Sequence, residues 1–380
     1  MFDLVCFCHL RWDFVYQRPQ HLLTRFSHKF RVFYVEEPIF DDIHTNSLAF
    51  YPKSDTLCVV VPHLKPGLTS DEVTKLQRDL IDELFKEKHI REYILWYYTP
   101  MALNFSRHLK PELVVYDCMD ELSNFKFAPS ELKDREKELF EITDVAFTGG
   151  LNLFRAKQAC HHNIHGIPSS IDKDHFAQAR EFQSDPDDQQ HIPHPRFGFY
   201  GVVDERFDLE LISKVAELRP SWHFIIVGPV VKIDPATLPR LDNIHYLGGK
   251  SYEQLPSYLA GWDIALVPFL RNESTLYISP TKTPEYLAAG KPVISTSIVD
   301  VIHPYGEQGL VHIADDVEEF VSAAESELNR KERVEWLSKV DDHLKDNSWD
   351  NTWNRMYAQI LKKLNEPKTN LTPLNKEIYV

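Results

Sequence analysis

One stretch carries the residue types best suited to chemistry: Ser279-Pro280-Thr281-Lys282-Thr283-Pro284-Glu285-Tyr286-Leu287-Ala288-Ala289-Gly290-Lys291-Pro292-Val293-Ile294-Ser295-Thr296. Ser279 before Pro280, or Thr283 before Pro284, reads as an N-cap followed by a residue suited to the first helical position, and Gly290 ends that helix. Free amides at Thr281 and Thr283 and the positive end of the helix dipole would bind an anion, and Lys282 adds a full charge beside them. A diphosphate fits that description. Glu285 carries only hydrogen-bond acceptors, which suits the vicinal hydroxyls of a sugar next to the diphosphate. A capped surface helix with a solvated Lys and Glu has the same local signature, so the cap alone leaves both readings open.

The elements that would position this stretch follow from composition and pattern. The chain has 380 residues, 43% hydrophobic and 26% charged, which suits a globular protein of two domains, each large enough for its own core. A net charge of −15 argues against a nucleic-acid surface, and a local basic patch would still allow peripheral membrane attachment. No apolar run reaches about 18 residues, and Met1 leads into Phe2-Asp3-Leu4-Val5-Cys6-Phe7 without a charged leader, so a cytoplasmic location is expected, with the inner face of the membrane left open. Five cysteines, an odd number lying mostly in apolar runs, predict neither disulfides nor zinc. His161, His162 and His165 lack a Cys or carboxylate to complete a metal site, and no metal is expected.

Asp3 to His9 reads as a buried strand, Arg18 to His28 as a helix and Arg31 to Glu36 as the next strand, a βαβ opening. The loop between strand and helix gathers His9, Arg11, Trp12, Tyr16 and Arg18 where ligands of open α/β sheets bind, beyond the carboxyl ends of the strands. Covering the sheet edge is the equal alternative. Further strands are read at Leu57 to Val61, Tyr93 to Tyr98, Leu113 to Tyr116 and Asp144 to Thr148, with an amphipathic helix from Ser70 to Lys88. The strand ending at Tyr116 runs into Asp117-Cys118-Met119-Asp120-Glu121, where Asp120 is the choice for a group that takes a proton from, or hydrogen-bonds, an acceptor hydroxyl. Capping of the next turn by Asp117 or Asp120 is about as well supported.

Residues 181–195 are polar and Pro-rich and read as a linker. Beyond it, Phe197 to Gly201 is a strand ending in a glycine that lets the backbone approach a ligand, and Arg206 follows within reach of a phosphate. Strands are read at Trp222 to Val227, Ile244 to Leu247, Asp263 to Pro268 and Leu310 to Ile313, and helices from Val317 to Leu328 and Lys331 to Leu344, with Ser348 capping a last helix to Leu364.

Lys282, Glu285 and the Ala289-Gly290-Lys291-Pro292-Val293 that follows resemble the donor signature of the GT-B glycosyltransferases, specifically family 4 (glycosyl transferases group 1), in a version found among bacterial surface-polysaccharide enzymes. The resemblance implies two Rossmann-like α/β domains facing across a cleft: 1–180 on the acceptor side, 196–345 binding the nucleotide sugar, a helix at 346–365 crossing back to the first domain and a tail at 366–380. It places Glu285 on the nucleotide ribose, Gly248, Gly249 and Lys250 at the base, and Gly201, Arg206, Ser279, Thr281, Lys282 and Thr283 around the diphosphate. His9 and Asp120 become the catalytic candidates, and Arg11, Trp12, Arg18 and Asp117 line the acceptor side. The family's first glutamate is absent: Tyr277 stands there, and Glu273 is the candidate replacement. The implied activity is metal-independent, retaining sugar transfer from a UDP-sugar to a glycan or lipid-linked acceptor. Alternatives are a non-catalytic partner subunit, a nucleotide-sugar epimerase and a phosphorylase; an NAD-dependent dehydrogenase is disfavoured, since no Gly-x-Gly-x-x-Gly follows either opening strand.

Overall fold

A computed structural model describes residues 2–182, 184–331 and 333–367. The first half runs β1 (Asp3–Phe7), α1 (Arg18–Phe26), β2 (Arg31–Val35), β3 (Ile39–Phe40), β4 (Ser47–Ser54), β5 (Leu57–Leu64), α2 (Ser70–Glu87), β6 (Tyr93–Tyr97), α3 (Leu103–Ser106), β7 (Leu113–Cys118), α4 (Leu132–Ile142), β8 (Val145–Thr148), α5 (Leu151–Lys157), β9 (Ile164–Gly166) and α6 (Lys173–Ala177). The second half runs β10 (Arg196–Tyr200), α7 (Leu209–Leu218), β11 (His223–Val227), β12 (Ile244–Gly248), α8 (Leu255–Ala260), β13 (Ile264–Val267), α9 (Lys282–Ala288), β14 (Val293–Ser295), α10 (Val299–Val301), β15 (His312–Ile313), α11 (Val317–Leu328), α12 (Val334–His343) and α13 (Trp349–Leu364).

Two sheets result, ordered β3-β5-β2-β1-β6-β7-β8-β9 with β4 on β5, and β12-β11-β10-β13-β14-β15. Among these paired strands, β4 with β5 is the antiparallel pair and the others run parallel. Continuous apolar runs such as Leu4-Val5-Cys6-Phe7 are buried along their whole length because helices cover both faces of the sheet. In both sheets the chain reverses direction beside the first strand, β1 or β10, so each has a crevice at its carboxyl edge.

The segment expected as a linker is folded onto the second domain. Gln189 and Ile192 are buried, Asp185 pairs with the buried Arg196 at 2.6 Å, and Asp188 pairs with Lys250 at 2.5 Å. The cores change over earlier, between Ile167, which packs in the first, and Ile171 and Phe176, which pack in the second. The chain returns at α13, whose Trp349, Met356 and Ile360 join the first core, and Ser170 hydrogen-bonds Asn347 where the two passages meet. Most of the expected tail, 368–380, lies outside the described residues. No helix among the described residues is long and apolar enough to cross a membrane.

Candidate functional site

The carboxyl edges of the two sheets face each other across a cleft of about 670 Å³, lined by Trp12 to Gln17 of the first domain and by Tyr200, Gly201, Gly228, Gly249, Lys250, Tyr252, Thr281, Lys282 and Glu285 of the second. The volume lies within the roughly 300–1,000 Å³ of small-molecule sites.

Two glycines shape its floor. Gly201 (φ +137°) and Gly228 (φ +144°) adopt backbone that side-chain-bearing residues avoid. A Cβ on Gly228 would run into the Gly201 carbonyl, and one on Gly201 would strike the Lys282 side chain. Lys282 can therefore lie directly on the strand end. Its ammonium makes no hydrogen bond or ion pair among the described residues and stands 5.8 Å and 5.9 Å from the ring centres of Phe199 and Phe269. Burial lowers its pKa, the nearby Glu285 opposes that, and Arg206 adds to it. Lys282 is half-buried, and even a partly desolvated cation without a partner is costly, a cost that an anionic ligand would offset.

Glu285, one turn along α9, is 8% exposed. It accepts a hydrogen bond from the Tyr200 hydroxyl, while burial raises its carboxyl pKa against the opposing pull of Tyr200 and Lys282. Tyr200 was missed in the sequence; its only signal was its place next to Gly201 at a strand end.

The start of α9 differs from expectation. The helix begins at Lys282 and spans 7 residues, with Thr281 as N-cap, and no side chain caps it. Thr283 cannot offer a free amide: its N–H donates to the Pro280 carbonyl at 3.3 Å, and its side chain is fully buried. Ser279 sits against Gly150 in a separate hollow of about 590 Å³ behind the Thr281 wall, not in the main cleft. The proline after each of these residues gave a capping signal that the coil at 279–281 does not use.

Four expected cleft residues have their charges committed elsewhere. Arg18 is 1% exposed and forks onto the fully buried Asp117 at 2.8–3.1 Å, with a further bond to the Ile167 carbonyl, so both leave the acceptor set for the core. Arg11 binds Glu36 at 2.9 Å and the carbonyls of Glu37 and Pro38, bracing the loop while Trp12 packs edge-on to Tyr34 and lines the cleft. Lys250 lines the cleft too, but its charge faces Asp188. Gly248 (φ +68°) stands behind the cleft, its carbonyl accepting from the Gly228 N–H at 2.9 Å.

Arg206 forks onto Asp204 and lies 5.2 Å from the ring centre of Phe125, which Lys232 also approaches at 5.5 Å. Asp120 stands within the field of Arg206 and Lys282, and its carboxylate has no hydrogen bond or ion pair among the described residues. Burial raises its pKa to about 6 despite those cations. His9 is its neutral counterpart: burial, helped by Lys232, lowers the imidazole to about 4, and Nδ1 is buried without a partner. Glu273 is exposed, away from the cleft lining, and Tyr277 packs on the first domain's core. No cluster of three or more His, Cys, Asp or Glu among the described residues is arranged to hold a metal.

Asp300 links the domains. Its carboxylate accepts the N–H groups of Leu151 and Asn152 at 2.8 and 2.9 Å, at the start of α5, where Gly150 leaves room for it.

Residues 194–330 match the family described as Glycosyl transferases group 1. TuaH of Bacillus subtilis (strain 168), a glycosyltransferase assigned to teichuronic acid biosynthesis, is 24% identical over 297 residues, 70% of each chain. Among solved structures, an E. coli trehalose-6-phosphate protein bound with UDP-2-fluoro glucose superposes with a TM-score of 0.70 at 11% identity, covering 96% of this chain and 99% of its own. Sucrose-phosphate synthase of Thermosynechococcus elongatus gives 0.69 at 14% identity, covering 96% and 99%. HepE of Anabaena, in complex with UDP and glucose, gives 0.66 at 12%, covering 95% and 100%. Residues 194–330 are thus similar to the glycosyl transferases group 1, and the chain is a glycosyltransferase with the two-sheet GT-B fold.

Proposed function

We propose that the protein transfers a sugar from a UDP-sugar to a glycan or lipid-linked acceptor in bacterial surface-polysaccharide synthesis, without a divalent metal and with retention of anomeric configuration. The observation that carries this reading is the half-buried Lys282, without a hydrogen bond or ion pair among the described residues, beside Glu285 on a floor cut back to glycine. Lys282, with Arg206 nearby, neutralises the charge that grows on the departing diphosphate, the role a metal ion fills elsewhere. Glu285 holds the ribose hydroxyls, and the Gly249 backbone faces the base. Asp120, free of partners among the described residues and ionised above about pH 6, accepts or orients the acceptor proton, and His9, held neutral by burial, is the second catalytic candidate. The UDP in two of the similar structures and the polysaccharide role assigned to TuaH support the donor and the pathway. Retention rests on the family resemblance of Glu285 and its surroundings.

Calorimetric titration with UDP, GDP and ADP in the presence of a chelator tests the donor site. Selective UDP binding, weakened about tenfold or more (~1.4 kcal/mol) by Lys282→Ala and by Glu285→Ala, is expected. Absence of binding to all three nucleotides would replace this reading with that of a non-catalytic partner subunit.

A further inference from the structure

A second cavity, of about 320 Å³, opens at the carboxyl ends of β1, β2 and β6 in the first domain, roofed by α2 and the turn into α3. It lies beside the point where the connections leave β1's neighbourhood for opposite faces of the sheet: α1 packs on one face and α2 on the other. Such points are where open α/β sheets hold ligands. We propose that this cavity holds an uncharged pyranosyl unit of the acceptor, a proposal that rests on the glycosyl-transfer reading above.

The lining has the two surfaces such a unit needs. Phe7, Phe40 and Phe105 provide aromatic walls, and Phe40 is left 50% exposed. A pyranose presents its C–H groups to such walls and its hydroxyls to whatever polar groups remain. Here those are the side-chain amides of Gln77 and Asn104, neither of which has a hydrogen-bond partner among the described residues, and an amide both donates and accepts. Glu37 and Glu131 line the same cavity, so their carboxylates repel a phosphate or a uronic acid and accept from hydroxyls.

The cavity is tied mechanically to the donor cleft. Arg11 fastens to Glu36 and to the carbonyls of Glu37 and Pro38 on its rim, and the Trp12 N–H bonds Glu36 at 2.7 Å. The residues that follow, through Gln17, line the donor cleft. One loop thus separates the two cavities and touches both, as required if an acceptor hydroxyl is to reach a donor sugar.

The test titrates the full chain, with and without UDP, with p-nitrophenyl glucoside, galactoside and N-acetylglucosaminide, and with p-nitrophenyl glucuronide as the anionic control. At least one neutral glycoside is expected to bind, and the glucuronide at least about tenfold more weakly. Thr74→Trp fills the cavity from α2 and is expected to abolish glycoside binding while leaving UDP affinity and melting temperature unchanged; Gln77→Ala, which adds no bulk, weakens glycoside binding severalfold. Failure of every neutral glycoside to bind, preference for the glucuronide, or glycoside binding unaltered by Thr74→Trp overturns the proposal. A failure of UDP alone overturns the donor reading instead, because the glycoside titrations without nucleotide still report on this cavity.

Discussion

The two domains offer each other edges of the same architecture and opposite electrostatic character. On the second domain, Lys282 and Glu285 come to the cleft with their charges uncompensated by strong partners, over a floor trimmed to Gly201 and Gly228. On the first, the charges concentrated near β1 and β7 are absorbed: Arg18 by Asp117, Arg11 by Glu36, Lys157 by Glu121 and Glu136. Among the described residues, Asp120 and His9 have no ionic partner there. The difference teaches that a charged residue at a strand end marks a site when the fold leaves it unanswered, and marks scaffolding when the fold answers it.

The strongest challenge to this contrast is Arg18→Met. Leaving Asp117 buried and unpaired is expected to cost about 3–5 kcal/mol of stability. Chemical denaturation reads that loss, and UDP affinity of the folded fraction stays at the wild-type value; a loss of UDP affinity with stability intact would return Arg18 to the cleft. Asp120→Asn should do the reverse, lowering kcat about 100-fold or more with little change in stability. The wild-type rate falls as pH drops through about 6, where the Asp120 carboxyl is protonated, and that limb of the pH profile disappears in the variant.

Gly201→Ala probes the floor. Positive φ and collision with Lys282 together cost about 1–3 kcal/mol, with nucleotide affinity lost in parallel. Unchanged UDP binding would show that the floor need not be bare. The smallest effect is expected from His21, buried and stacked on Trp349 at 4.4 Å, with its pKa lowered to about 3, first by burial and then by Arg25. A cationic acid with a depressed folded pKa supplies stability that is full above its unfolded value near 6.5 and is lost as pH falls toward 3. His21→Phe should therefore remove about 1.4 kcal/mol of acid destabilisation at about pH 5.5, read as a flatter dependence of melting temperature on pH.

The strands were legible because buried parallel strands write themselves as unbroken apolar runs: Tyr93 to Tyr97 and Ile264 to Val267 needed no tertiary information. The capped last helix was equally plain, with Ser348 accepting from the Asn351 N–H. β4 escaped because it is largely exposed and contains Pro52, and α4 because its charged face outweighs Leu132, Leu139 and Phe140. At the site, the local pattern around Lys282 and Glu285 fitted a solvated capped helix as well as an anion site, and the resemblance to a donor signature singled them out. The commitment of Arg18 was not legible, since its partner lies 99 residues away and nothing local to either residue announces the pairing. Thr283 illustrates the converse error: a residue type right for capping can be buried when the preceding turn takes its amide. The polar run at 181–195 looked unstructured because its few anchors, Gln189 and Ile192, bury themselves against a domain that had yet to be placed.

Asp300 gives the contact between domains a polar latch. It reaches out of one domain to terminate a helix of the other, so drawing the sheets apart must first strip a carboxylate from two amides and leave all three groups to water. That exchange of protein for solvent hydrogen bonds is nearly neutral at equilibrium, so the junction fixes how the two sheets are oriented more than how tightly they are held.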